Sequence, residues 1–179
     1  MNTDPARRCW LHRSGGLGLA LALPSAWAQT PPPGEAKAGA PPPVGSLLLL
    51  PAVPMLDGSV FQPTAADGQV LVLYWWASWC PFCAQQSPLM DQLWRAQAGR
   101  GLRMLGLSID KSAETAAAYL RQRGYDFPSG WVSAEVARIL PKPKGLPVTV
   151  VRGRDGRVLM AEAGQLFPED VAEIARFLV

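Results

Sequence analysis

Apolar residues form two long, nearly unbroken runs, and each run is followed by a stretch with helical periodicity. The first run spans residues 70–79 and the second spans residues 102–110. Runs rich in β-branched and aromatic residues are typical of strands that are buried on both faces of a sheet. The helices that follow are predicted over residues 84–97 and 113–123. This strand–helix–strand order predicts two neighbouring parallel strands joined by a right-handed crossover.

The rest of the pattern predicts shorter elements. In chain order these are a strand pair within residues 53–61 around an Asp57–Gly58 turn, a helix at 134–140, a strand at 147–151, a hairpin through Arg154–Gly156 into a strand at 157–161, and a last helix that starts at Pro168. Val171, Ile174, Ala175 and Leu178 recur at helical spacing, which predicts the buried face of that last helix.

The first 28 residues have the features of a cleavable export signal. Arg7, Arg8 and Arg13 give a basic start, residues 17–23 are apolar, and Ala26-Trp27-Ala28 fits the small-x-small cleavage rule. We therefore predict a signal peptide over residues 1–28, cleavage at Ala28–Gln29 and a periplasmic location. We expect no membrane span in the mature form.

Residues 29–46 are rich in proline and are predicted to be a flexible linker. Residues 47–179 then form one domain, since about 130 residues suffice for a single hydrophobic core. The chain carries 17 basic and 14 acidic residues, and three of the basic and one of the acidic residues lie in the signal segment. A mature net charge of +1 gives no indication of nucleic-acid binding.

Two of the three cysteines, Cys80 and Cys83, are placed where the first apolar run ends and a helix begins. A CxxC pair in that context is typical of redox chemistry, because the positive end of a helix favours the thiolate. The thiolate is the form that attacks disulfides. Two intervening residues allow the second cysteine to close a disulfide with the first.

Two other interpretations of the pair are weaker. A closed zinc site needs four Cys or His ligands, and the mature chain has two cysteines and no histidine. A purely structural disulfide would close only a very short loop and would stabilise the fold little. We therefore predict no metal and no cofactor other than the redox-active Cys80–Cys83 disulfide itself.

The stretch Trp76-Ala77-Ser78-Trp79-Cys80-x-x-Cys83 resembles the thioredoxin superfamily, and the Asp-Gly hairpin with the export signal makes the chain similar to its periplasmic TlpA/ResA-like branch. Pro88, five residues after Cys83, matches a helix-kinking proline of the superfamily. The resemblance implies an α/β protein with a thioredoxin-like fold, in which helices flank a central mixed β-sheet and an N-terminal β-hairpin is added.

The resemblance also implies roles for individual residues. The proline that opens the strand after Gly145-Leu146 is cis in that superfamily and faces the disulfide, so this role falls to Pro147. Cys80 is expected to be the attacking thiolate and Cys83 the more buried, resolving thiol. The predicted contact surface for a partner protein consists of Trp79, Pro81, Phe82, Leu146 and Pro147. Lys142 and Lys144, which flank the loop before Pro147, are expected to form a solvated basic turn.

The sequence departs from the family pattern at two positions. Thioredoxins place an aspartate on the central strand beneath the second cysteine, where this chain has Tyr74. The TlpA/ResA-like branch often has a glutamate three residues after that cysteine, where this chain has Gln86. We expect Gln86 to act at most as a weak proton relay, by orienting a water near Cys83.

The predicted function is an enzyme, an exported thiol-disulfide oxidoreductase that reduces disulfides of client proteins in cytochrome c maturation or copper-site assembly. A membrane electron donor of thiol-reductant type would restore the dithiol, and the protein is expected to be a monomer. The alternatives are a periplasmic disulfide oxidase or isomerase, and a non-enzymatic redox-linked binding protein or metallochaperone. A peroxidase with a lone reactive cysteine is disfavoured by the paired cysteines.

Overall fold

The computed structural model describes residues 39–178, in which strands and helices alternate along most of the chain. The strands are β1 (Val53–Pro54), β2 (Val60–Phe61), β3 (Val70–Trp76), β4 (Leu102–Ser108), β5 (Ser129–Trp131), β6 (Val148–Arg152) and β7 (Val158–Ala163). The helices are α1 (Pro81–Gln97), α2 (Ala113–Arg123), α3 (Ala134–Ile139) and α4 (Pro168–Glu173). Short 3₁₀ helices span Pro63–Ala66, Ala98–Arg100 and Ile174–Leu178.

Strand β3 lies at the centre of a five-stranded mixed sheet with the order β5-β4-β3-β6-β7. It pairs in parallel with β4, as the two apolar runs predict, and antiparallel with β6. Strands β1 and β2 form the predicted antiparallel pair as a separate two-stranded sheet. The sequence therefore predicted the central strand and its parallel neighbour correctly.

All seven residues of β3 are buried, because the sheet packs against a hydrophobic layer on each face. Tyr74 and Trp76 belong to one of these two clusters, and Trp75 belongs to the other. Successive side chains of a strand point to opposite faces, which explains how adjacent tryptophans serve different layers. Both tryptophans therefore pack in the core.

Gly106 of β4 permits close packing beside the middle of β3. It is the register partner of Tyr74. A Cβ atom at residue 106 would collide with the Ser129 hydroxyl and crowd the rings of Phe127 and Trp76. A larger residue here would push β5 or the aromatic cluster away from β3, so the glycine is required by space rather than by its backbone angles.

Three details differ from the sequence prediction. Helix α1 begins at Pro81 rather than at residue 84, because proline fits the first position of a helix, where no N–H is needed. Strand β5 was not predicted, since its three residues carry too little pattern. The last helix changes to a 3₁₀ helix at Ile174, although Val171 and Ile174 are buried as expected.

The start of the described segment is bound to the domain. The N–H of Gly45 donates to the carbonyl of Val158 at 2.8 Å, and the N–H of Val158 donates to the carbonyl of Ser46 at 2.9 Å. Gly45 and Ser46, at the end of the predicted flexible linker, thus pair with the edge of the sheet just before the predicted domain boundary at residue 47. The predicted signal peptide and residues 29–38 of the predicted linker lie outside the described residues.

Candidate active site

Cys80 lies where β3 has ended and α1 begins. The N–H of Cys80 donates to the carbonyl of Ala77 at 3.2 Å, which closes a turn over residues 77–80. Cys80 is the N-cap of α1, and its sulfur accepts a hydrogen bond from the N–H of Cys83 at 3.1 Å. The sulfur therefore occupies the position at which the helix offers unpaired N–H groups and partial positive charge.

Cys80 and Cys83 are joined by a disulfide, with their Cα atoms 5.2 Å apart. Cys80 is 4% exposed and Cys83 is 1% exposed. The order of exposure is the predicted one, although both residues are largely covered. The larger part of this small exposed area belongs to Cys80, which is therefore the sulfur that a partner thiolate would meet.

The predicted contact surface divides into an exposed and a covered part. Trp79 is 64% exposed and Phe82 is 55% exposed, and Pro81 is exposed as well. Leu146 is half-buried and Pro147 is buried, and the bond between them is cis, as predicted. The exposed side chains Trp79 and Phe82 flank Cys80 along the chain and are therefore the apolar groups that a partner would meet first.

Tyr74 occupies the space beneath Cys83, where the resembled family has an acid. Its hydroxyl lies 3.1 Å from the hydroxyl of Ser87 and donates to the carbonyl of Cys83 at 3.4 Å. Burial raises the pKa of Tyr74 far above its usual range. The phenol thus keeps its proton at neutral pH, so it can hold α1 in place but cannot accept a proton from Cys83.

Gln86 is fully buried and links three parts of the fold. Its Nε2 donates to the hydroxyl of Thr149 on β6 at 2.9 Å, and its Oε1 accepts from the N–H of Leu166 at 2.7 Å. These contacts tie α1 to β6 and to the segment before α4. They show a structural use of the amide, and the proton-relay role of Gln86 stays a prediction.

The loop before Pro147 is held by Lys142 rather than fully solvated. The ammonium of Lys142 donates to the carbonyls of Pro143 and Gly145 at 2.7 and 3.1 Å. Burial lowers the pKa of Lys142. Lys144 is exposed, as expected for a basic turn. Of the two lysines, Lys142 therefore has a positional role that the sequence did not indicate.

Sequence reasoning missed Asp110, which lies two residues after β4. Its carboxylate is 4% exposed and accepts hydrogen bonds from both the N–H and the hydroxyl of Ser78, in the turn that leads to Cys80. The sequence signal that could have identified Asp110 is its position as a polar residue at the carboxyl end of the strand next to β3. The hydrophobic pattern alone marks Asp110 only as the end of an apolar run.

The described residues contain no group of three or more His, Cys, Asp or Glu side chains arranged to hold a metal ion. Within the same part of the chain, no helix has the length and apolar character needed to cross a membrane.

A family model, described as the AhpC/TSA family, matches residues 51–158, which is more than half of the chain. The chain belongs to the AhpC/TSA family. The match begins before the β1–β2 pair and runs to the start of β7, so it includes both cysteines and the cis-proline strand.

Among curated relatives of this AhpC/TSA-family protein, the thiol-disulfide oxidoreductase ResA of Bacillus thuringiensis subsp. konkukian is 22% identical over 122 residues, which are 66% of this chain and 68% of the relative. The thiol:disulfide interchange protein DsbE homolog of Paracoccus denitrificans is 29% identical over 143 residues, or 76% of this chain and 70% of the relative. A crystal structure from Chlorobium tepidum, named as a thiol:disulfide interchange protein DsbE, superposes with a TM-score of 0.67 at 26% identity. It covers 76% of this chain and 99% of its own. The predicted thioredoxin-like fold is confirmed.

Proposed function

We propose that this protein is a thiol-disulfide oxidoreductase that is exported to the periplasm and reduces disulfides in client proteins. The observation that carries the proposal is the Cys80 sulfur at the N-cap of α1, bonded to Cys83 and flanked by exposed apolar side chains. Relatives that are named thiol-disulfide oxidoreductase and thiol:disulfide interchange protein support the reaction class.

The reaction consists of two thiol–disulfide exchanges. The Cys80 thiolate attacks one sulfur of a client disulfide, which forms a mixed disulfide and releases the first client thiolate. The Cys83 thiolate then attacks the Cys80 sulfur, which forms the Cys80–Cys83 disulfide and releases the second client thiolate. Two electrons pass to the client, whose two thiolates take up protons, and a thiol reductant must later reduce the Cys80–Cys83 disulfide.

The helix N-terminus accounts for the first step. Thiols at this position in CxxC motifs have pKa values lowered from about 8.5 toward about 3.5–7.5, because the partial positive charge of the helix stabilises the thiolate. The N–H of Cys83, which donates to the Cys80 sulfur in the disulfide, is well placed to donate to the thiolate. Cys83 lies one helical turn further along and is more buried, which suits a thiol that attacks only within the mixed disulfide.

The direction of electron flow rests on the residue between the cysteines. Phe82 has no polar hydrogen that it could donate to a Cys80 thiolate, so it does not stabilise the reduced form as a histidine would. This supports a reductase rather than an oxidase, which is also the direction that the resemblance to the TlpA/ResA-like branch implies. The resemblance further suggests clients in cytochrome c maturation or copper-site assembly, and a membrane electron donor of thiol-reductant type.

Insulin reduction with a thiol donor tests the reaction class. The wild type is expected to be active and Cys80→Ser inactive, while Cys83→Ser should accumulate a mixed disulfide at Cys80 because the second exchange is blocked. If the wild type reduces insulin no faster than the thiol donor alone, the protein is a binding module rather than an enzyme. If Cys80→Ser retains an active wild-type rate, Cys80 is not the attacking thiol. A reduction potential near about −120 mV, which is typical of strong oxidants, would overturn the reductase assignment.

A further inference from the structure

Asp110 is a buried carboxylate whose position is fixed from several sides. Ser108, the last residue of β4, is the register partner of Trp76, the last residue of β3. Asp110 follows two residues later, with its N–H donating to the Ser108 hydroxyl at 3.1 Å. Its carbonyl accepts from the indole N–H of Trp131 at 2.9 Å. The backbone of Asp110 is therefore anchored to β4 and β5 at the end of the sheet that carries the cysteines.

The side chain of Asp110 reaches across to the segment before Cys80. One carboxylate oxygen accepts from the Ser78 hydroxyl at 2.6 Å, and the other accepts from the Ser108 hydroxyl at 2.8 Å. The N–H of Ser78 lies 3.2 and 3.1 Å from the two oxygens. No Lys, Arg or His among residues 39–178 forms an ion pair with this carboxylate. Its negative charge is therefore solvated by neutral donors alone.

Ser78 and Trp79 are the two central residues of the turn that Cys80 closes onto Ala77. Fixing Ser78 from both its backbone and its hydroxyl limits the directions that Trp79 and Cys80 can take. This matters because Trp79 is 64% exposed, so packing alone restrains its side chain little. The carboxylate of Asp110 thus determines how the turn presents the tryptophan and the reactive sulfur.

We propose that Asp110 is a positioning residue for the Cys80 turn, and that its carboxylate makes Cys80 a weaker acid than the helix N-terminus alone would. This inference rests on the proposed function. A negative charge close to a forming thiolate opposes its formation. Disfavouring the thiolate also disfavours the reduced form, which makes the dithiol a stronger reductant. Asp110 therefore acts in the same direction as Phe82.

The size of the effect follows from the distance along the turn. A four-residue turn spans less than about 7 Å between its outer Cα atoms, so the carboxylate bound to Ser78 lies on the order of 10 Å from the Cys80 sulfur. At an effective dielectric constant of about 20–40, a unit charge at that distance changes an ionisation equilibrium about four- to fifteen-fold. Below the thiol pKa, the thiolate fraction of Cys80 changes by this factor. Because a less basic thiolate is a weaker nucleophile, the alkylation rate changes by roughly the square root of the factor, about two- to fourfold.

Titratable groups on the segments next to Asp110 and Cys80 stay unchanged in the test. The segment after β4 also carries Lys111, the loop before β6 carries Lys142 and Lys144, and β3 carries Tyr74 beneath Cys83. The first turn of α1 contains no acidic residue. A comparison of Asp110 variants with the wild type therefore isolates the charge of Asp110.

Asp110→Asn and Asp110→Ala separate charge from position. Asparagine keeps an oxygen that can accept from Ser78 but removes the charge, whereas alanine removes both. Alkylation of Cys80 is followed in the reduced full-length protein from about pH 4 to about pH 9, by mass spectrometry of the peptide that carries Cys80, since the chain also contains Cys9. At pH values below the thiol pKa, Asp110→Asn is expected to react about two- to fourfold faster than the wild type, with an unchanged KM for insulin. Asp110→Ala is expected to show the same faster alkylation together with a raised KM.

Asp91→Asn is the control for distance. Asp91 is another buried, hydrogen-bonded carboxylate, 7% exposed, that accepts from the N–H groups of Asp126 and Phe127 and, unlike Asp110, also pairs with Arg95 at 2.6 Å. It lies eleven residues along the chain from Cys80, about 16 Å at 1.5 Å per helical residue. Asp91→Asn should lower stability and leave the alkylation of Cys80 as in the wild type.

Three results would overturn the proposal. These are an Asp110→Asn protein with the wild-type alkylation profile, an Asp110→Ala protein with the wild-type KM, and an Asp91→Asn protein with the same acceleration as Asp110→Asn. Should the Asp110 variants not fold, hydrogen exchange of the Ser78 amide in the wild type decides: protection is expected, and exchange at the rate of an exposed amide refutes the proposal. The proposed function fails separately, if the wild type does not reduce insulin at all.

Discussion

Replacing Gln86 with glutamate places an acid of nearly the same shape in a fully buried site. The amide oxygen accepts from the N–H of Leu166 at 2.7 Å, and the amide nitrogen donates to the hydroxyl of Thr149 at 2.9 Å. A protonated glutamate can make both bonds. An ionised glutamate can make both only if the Thr149 hydroxyl turns to donate, and its charge is then held inside the protein.

Burial disfavours the charged form, so the pKa of the introduced carboxyl is expected to lie well above its usual value. In the pH range between the unfolded and folded pKa values, the folded state holds a proton that the unfolded state has released. The free energy of unfolding therefore falls as pH rises through that range, by about 1.4 kcal/mol for each pH unit. If the two pKa values differ by about two units, the free energy of unfolding of Gln86→Glu, relative to the wild type, should be roughly 3 kcal/mol lower at pH 8 than at pH 4.5.

Urea unfolding at pH 4.5 and pH 8 measures this difference against the wild type. Gln85→Glu is the matched control, because residue 85 is exposed on the same turn of α1 and gains the same charge. The control should show no such pH dependence. If the stability of Gln86→Glu relative to the wild type is the same at both pH values, residue 86 is not buried between Thr149 and Leu166 as described.

The same variant tests the proton-relay prediction, since an unchanged pH profile of disulfide exchange would mean that residue 86 does not act on Cys83.

Three further predictions concern client contact and the packing around α1. Trp79→Ala should raise the KM for insulin about fivefold or more, while the free energy of unfolding changes by less than about 0.5 kcal/mol because the ring is exposed. The control Val60→Ala, which shortens a similarly exposed side chain, should change neither the KM nor the stability. If Trp79→Ala has the wild-type KM, Trp79 is not part of the client surface. Tyr74→Phe should lower the free energy of unfolding, measured in urea, by about 1–2 kcal/mol, since it removes the hydrogen-bond partner of the Ser87 hydroxyl. Because the folded state raises the pKa of Tyr74, wild-type stability should fall as pH rises above about 10 and the variant should lack that part of the loss; an identical alkaline slope in both proteins would contradict this. Asp91→Ala should cost about 2–4 kcal/mol by leaving the N–H groups of Asp126 and Phe127 unsatisfied, and a urea midpoint equal to that of the wild type would show that these bonds contribute nothing.

The elements with strong local signals could be predicted from the sequence. The two apolar runs identified β3 and β4, and the helix predicted over residues 113–123 has the same bounds as α2, which is followed by Gly124 with φ 67°. The cysteine pair, the cis bond before Pro147 and the exposed position of the residues beside Cys80 followed from the motif and the resemblance. These features depend on residues that are close in the chain or on a pattern with a specific spacing.

The parts that were missed depend on contacts between distant residues. Ser78 and Asp110 are 32 positions apart, and Gln86 and Leu166 are 80 positions apart. Neither pair has a local pattern that could reveal it. Strand β5 forms because three residues complete the edge of β4, which no three-residue propensity predicts. Gly45 and Ser46 lie at the end of a proline-rich segment that is typical of a linker by composition, but their backbone groups pair with Val158 at the sheet edge.

The most direct test of the account is the pH dependence of Cys80 alkylation in the reduced Cys83→Ser protein. The N-cap position of the sulfur predicts a titration well below about pH 8.5, with Cys80 reacting faster at neutral pH than a free cysteine thiol. A titration at or above that of free cysteine would mean that the helix N-terminus does not activate the sulfur, and the proposed reaction would lose its physical basis.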